Sequence, residues 1–101
     1  MYNYHFLRLR ALLDVISKIS RVLEECGFRY AVFKTLRPFD EDVADVDILY
    51  LGFDENGYRE LVGVLRGAGF RVMEASYYCT TLVDPRYRFV VEVVGDGVRD
   101  R

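Results

Sequence analysis

Several residue types are scarce or missing in this chain, and each gap removes a class of function. The 101 residues hold two cysteines, Cys26 and Cys79, and one histidine, His5, near the chain start. Two cysteines do not make a disulfide framework. One histidine beside two thiols makes a metal centre of sulfur and imidazole ligands improbable. No apolar run approaches the ~20 residues of a membrane span. Arg8 and Arg10 stand near the N-terminus, but no signal-peptide core with a small-residue cleavage site follows them. A soluble, cytoplasmic protein without a membrane is the expectation. Cationic excess is missing too: the net charge is -2. A long nucleic acid would be met by a basic surface, whereas a single nucleotide needs only a few local cations. Glutamine is absent, Asn3 and Asn56 are the only asparagines, and Arg outnumbers Lys. Depletion of heat-labile amides is a thermophile tendency.

What is present suffices for one compact domain spanning residues 1–101. Apolar residues make up 51% of the chain, which argues against disorder. Leu9, Leu12, Leu13, Ile16, Ile19, Leu23 and Cys26 recur at helical spacing, with Arg10, Asp14, Ser17, Lys18, Arg21 and Glu25 on the wet side. Gly27 sits where a left-handed C-cap belongs. A strand follows near Arg29 to Lys34, then Pro38 and the acidic loop Asp40-Glu41-Asp42. The second strand runs from about Asp45 to Leu51. It is almost wholly apolar after Asp47, so both faces are expected to be covered. Asp54 or Asn56 caps a second helix that carries Tyr58, Leu61, Val62 and Leu65 on one face and ends at Gly67 and Gly69. Strands are expected at Phe70–Glu74, at Tyr77–Val83 and, after the turn Asp84-Pro85-Arg86-Tyr87, at Arg88–Val94. The residues from Gly95 on form a polar tail. The fold class is therefore α+β: a mixed β-sheet of about five strands, backed by two long helices on one face. The other face is left open for a ligand, a partner or a second copy of the chain.

The chemistry concentrates in two blocks. Phe33-Lys34-Thr35-Leu36-Arg37-Pro38-Phe39 brings an apolar strand into a Lys-Thr corner, and Asp45-Val46-Asp47 opens the next strand. Carboxylates at i and i+2 of a strand point the same way. Like charges held that close call for a cation between them, and a divalent metal is the usual one. Glu92 stands between Val91 and Val93, where a buried charge would be expensive. If the last strand lies beside the second, Glu92 faces the aspartate pair and completes an oxygen-rich Mg²⁺ site. The competing use of Glu92 is as cross-strand partner of Arg88 or Arg86. Tyr77, Tyr78, Tyr87 and Phe89 suit hairpin and core packing, with base stacking as the sharper use.

On these blocks the chain resembles the polymerase-β-like nucleotidyltransferase superfamily, in the minimal single-domain form of small archaeal members. The family pattern is an apolar residue, Gly, Gly or Ser, roughly ten residues, then Asp-apolar-Asp or Glu, with a third carboxylate on a later strand. Phe33-Lys34-Thr35, Asp45-Val46-Asp47 and Val91-Glu92-Val93 occupy these places. The resemblance implies Asp45, Asp47 and Glu92 as metal-binding and catalytic residues, with Mg²⁺ as cofactor and a nucleoside triphosphate as substrate. Lys34 and Thr35 replace the family's Gly-Ser, so Lys34, Thr35 and Arg37 are the nucleotide-binding candidates. The implied function is Mg-dependent transfer of a nucleoside monophosphate to an acceptor supplied by a partner. A helical toxin-type domain is the partner class that the resemblance suggests. The alternative is a catalytically inactive module of the same fold, used for nucleotide sensing or protein–protein interaction. A homodimer through the open face or an edge hairpin suits either.

Overall fold

The computed structural model describes residues 2–33, 45–76, 78–86 and 89–95, and of residues 2–9 and 45 the backbone only. The Lys34–Arg37 corner, the Asp40–Asp42 loop, Tyr77, Tyr87, Arg88 and the tail from residue 96 lie outside them. The order is α1 (Tyr2–Glu25), β1 (Tyr30–Phe33), β2 (Asp45–Tyr50), α2 (Glu55–Gly67), β3 (Arg71–Ala75), β4 (Cys79–Asp84) and β5 (Phe89–Gly95).

Both helices stop by the same device. Gly27 at φ 77° lets its own N–H reach Glu24 O at 3.1 Å and brings the Phe28 N–H to Leu23 O at 3.1 Å. Gly69 at φ 109° does the same, with its N–H on Arg66 O and the Phe70 N–H on Leu65 O. A left-handed residue that closes these two bonds is nearly always glycine, because a Cβ is penalised there. The aromatic residue that follows each glycine folds back toward the helix it ends: Phe70 is buried, and Phe28 packs on the core.

The five strands form one mixed sheet in the order β1-β2-β5-β4-β3. The β2–β5 pair is parallel and the other three are antiparallel. Val46, Ile48 and Tyr50 of β2, Leu82 of β4 and Phe89, Val91 and Val93 of β5 are buried with Val15, Ile19 and Leu23 of α1 and Tyr58, Leu61 and Leu65 of α2. Each such strand buries alternate residues, so the helices cover one face. Tyr58 pins α2 to that face: its hydroxyl donates to Val93 O at 2.9 Å and shares a 2.7 Å bond with Thr80 Oγ1. The α+β class and the two-helix backing agree with the sequence reading.

Four details differ from it. Cys26 and Leu13 are exposed, so the apolar stripe of α1 is narrower than its spacing suggests. β2 is an inner strand, but Asp47 and Leu49 on its second face are only half-buried, because no described element lies over them. Phe70 is the helix-ending residue and not the start of β3, and β4 begins at Cys79. Glu92 is exposed on the open face, so no burial cost attaches to it.

Candidate functional site

The open face is read most directly along one row of register partners. Phe33 of β1 pairs with Asp47 of β2, Asp47 with Glu92 of β5, Glu92 with Thr81 of β4, and Thr81 with Glu74 of β3. One rung therefore crosses all five strands and carries three carboxylates. Neighbouring strands lie about 4.8 Å apart, so Asp47 and Glu92 are direct neighbours and Glu74 is two strands further on.

Cys79 stands on the same face as Thr81, on the side opposite the buried Thr80 and Leu82. Its thiol is pushed above the ordinary value, first by burial and then by the charges of Glu92, Glu74 and Asp47. Three carboxylates raise one thiol only when all of them lie within electrostatic reach of it. Cys79 pairs with Val94 at the register position next to Thr81 on this face.

Of the residues singled out by sequence, the fold brings Asp47 and Glu92 together. Asp45 stands two residues from Asp47 on the same strand, opposite Val90, with its backbone alone described. Lys34, Thr35 and Arg37 lie outside the described residues. Phe89 is core and Tyr78 is half-buried, which favours packing for both. Glu92 has Asp47 and Thr81 as its cross-strand neighbours, while Arg86 stands in the turn between β4 and β5 and Arg88 lies outside the described residues.

Glu74 is the residue that sequence reasoning missed. Val72 pairs with the buried Leu82, but Glu74 pairs with Thr81, because the register shifts between them. The bulge puts Val72 and Glu74 on opposite faces, against the alternation of a regular strand. Nothing in the residue pattern announces that shift.

Among the described residues, no three His, Cys, Asp or Glu side chains converge closely enough to hold a metal ion. The described donors are the Asp47–Glu92 pair, hard oxygen ligands on an accessible face, and their chemistry fits a hard divalent cation.

No protein-family model and no curated protein matches this chain. Among solved structures it is similar to the Cid1 poly(U) polymerase, solved with MgGTP bound. The TM-score is 0.50 at 13% identity, over 92% of this chain and 32% of the polymerase chain. At that identity the likeness concerns the fold, and the fold is nucleotidyltransferase-like. The chain spans 32% of the polymerase's length.

Proposed function

We propose that this chain is a Mg-dependent nucleotidyltransferase that moves a nucleoside monophosphate from a nucleoside triphosphate to an acceptor held by a partner. The observation that carries the reading is the parallel pairing of β2 with β5, which makes Glu92 the direct neighbour of Asp47 on the uncovered face. The similarity to a polymerase solved with MgGTP supports the choice of chemistry.

In this reading Asp45 and Asp47 would hold Mg²⁺, with Glu92 as third ligand or as base for the acceptor hydroxyl. The ion, when bound, neutralises the phosphate oxygens and lowers the pKa of the attacking hydroxyl. Lys34, Thr35 and Arg37, which follow β1 in the sequence, would grip the phosphates in place of a glycine backbone. The acceptor oxygen attacks the α-phosphorus in line with the leaving group. A new P–O bond forms, the bond to the β-phosphate breaks, and pyrophosphate departs. Where Glu92 serves as base and not as third ligand, it takes the acceptor proton, being more exposed than Asp47.

The described residues make one sheet and its two helices, with no second lobe to seat an acceptor. A helical toxin-type partner is the class that the resemblance suggests for that task. A cytoplasmic, heat-adapted setting and membership among small archaeal enzymes rest on composition and resemblance.

Lys34 and Thr35 in place of Gly-Ser favour a second reading: an inactive relative that senses nucleotide or binds protein through the same face. Calorimetric titration of Mg²⁺ and ATP, CTP, GTP or UTP separates them. The active reading predicts metal-dependent nucleotide binding by the native chain and its loss in the Asp45→Asn, Asp47→Asn double variant. Binding that is absent, or that ignores these substitutions, overturns it.

A further inference from the structure

The outer edge of the sheet at β3 has a pattern that suits one particular partner. All five residues of β3 are exposed, and Val72 and Met73 are 40% and 65% exposed. Among the described residues nothing pairs with this edge. Behind it lies a groove of about 510 Å³ between α2 and the sheet, where Tyr58, Val62 and Val72 stand together with the charged Glu55, Arg59 and Arg66. An open sheet edge is a place where another strand adds on.

We propose that the occupant is a second copy of the same chain, paired antiparallel along β3 about a two-fold axis between Val72 and Met73. The sequence Arg71-Val72-Met73-Glu74 is self-complementary in that register. Arg71 faces the partner's Glu74, and Val72 faces the partner's Met73, and the symmetry repeats both pairs. Opposite charges and apolar residues thus meet in every position of the four-residue overlap.

The bulge makes this register workable. In a regular strand, residues three apart lie on opposite faces, so Arg71 could not oppose the partner's Glu74 in a sheet whose helices share one side. Here Arg71 pairs with Val83 and Glu74 with Thr81, and Val83 and Thr81 both stand on the open face, either side of the buried Leu82. Arg71 and Glu74 are therefore co-facial. A two-fold axis perpendicular to the sheet then gives one continuous ten-stranded sheet, with four helices on one side and both acidic rows on the other.

Sedimentation velocity over a concentration series, from low micromolar upward, tests this. The native chain is expected to dimerise. Arg71→Glu puts like charges opposite each other at two symmetry-related places and is expected to weaken the dimer roughly tenfold or more. The reversed pair Arg71→Glu, Glu74→Arg restores it. Glu74→Arg alone gives the same loss by the opposite sign. Both positions are exposed, so thermal melts of all variants should match the native chain at concentrations too low for it to dimerise. A native monomer up to millimolar concentration, a dimer indifferent to either single reversal, or a double reversal that does not recover the dimer each overturns the proposal.

Discussion

Tyr50 shows how much one side chain can organise. It closes β2, lies almost wholly buried, and sends its hydroxyl to Asp54 Oδ1 at 2.5 Å. The other oxygen of Asp54 accepts the Gly57 N–H at 2.8 Å, so one carboxylate caps α2 and anchors the strand before it. Burial first, then the Asp54 hydrogen bond and the charges of Asp54 and Glu60, push the Tyr50 phenol up to about 12. The same bond, followed by the Gly57 N–H, holds the Asp54 carboxyl below its ordinary value. The two shifts act on opposite limbs of the stability profile. A raised phenol contributes fully below about pH 10, where the unfolded tyrosine titrates, and that contribution is lost as pH rises through about 12. A lowered carboxyl contributes above the unfolded aspartate value and is lost as pH falls through the folded one. Tyr50→Phe removes the titrating phenol and the largest cause of the Asp54 shift. Denaturant melts across pH should therefore show a shallower decline on both limbs. The alkaline limb keeps a residue of slope, because burial also raises Tyr30 and Tyr58.

At the scale of the element, α2 contains two glycines whose replacement should act with opposite signs. Glycine inside a helix normally costs about 1 kcal/mol relative to alanine. A Cβ at Gly63 would meet nothing within 4 Å, so Gly63→Ala should stabilise by about 0.5–1 kcal/mol. A Cβ at Gly57 would land on the Tyr50 hydroxyl, with the ring carbon that bears it at 2.8 Å and Asp54 Oδ1 at 2.9 Å. The ring is buried and cannot swing aside without leaving the core. Overpacking of that kind costs about 1–3 kcal/mol, which outweighs the propensity gain. Chemical denaturation of the two variants reads the contrast directly. These details also mark what the sequence could disclose. Gly27 and Gly69, each followed by Phe, announced where α1 and α2 stop, because only glycine takes that backbone turn cheaply. Which residues of β4 and β5 face the helices was not legible, because β4 buries Thr80 and Asp84 while Val83, Val90 and Val94 stand on the other face. The Asp-Val-Asp spacing and Glu92 announced a carboxylate pair, given a parallel β2–β5 neighbour that local pattern alone does not dictate. The bulge that turns Glu74 onto the acidic face left no mark, since it is a property of pairing and not of composition. The contact of Tyr50 with Gly57 was equally silent, because it depends on a side chain reaching across the loop between β2 and α2.

Taken as a whole, the molecule divides its labour between two faces, and the division has a thermodynamic signature. The covered face holds the core; Leu82 is fully buried, and truncating such a leucine to alanine costs about 2–5 kcal/mol. For a domain of this size the whole folding free energy is on the order of 5–15 kcal/mol, so the covered face sets the stability. The open face does the reverse. Asp47 and Glu92 are direct cross-strand neighbours of like charge, and such pairs destabilise a sheet by roughly 0.2–1 kcal/mol. A surface that serves only solubility has no reason to keep that repulsion, whereas one that binds a cation gains from it. Glu92→Gln removes the repulsion and one ligand together. In the presence of a chelator the variant should melt above the native chain. A stabilisation of even 0.5 kcal/mol corresponds to a rise of roughly 2–4 °C at this chain length. Adding Mg²⁺ should then reverse the order. A ligand that binds only the folded state at a hundred times its dissociation constant stabilises by about 2.7 kcal/mol, and the native chain gains this while the variant does not. Thermal melts of both proteins, with chelator and with a Mg²⁺ series, measure the crossing. Curves that stay parallel throughout would show that the paired carboxylates hold no cation, and the enzymatic reading would lose its support.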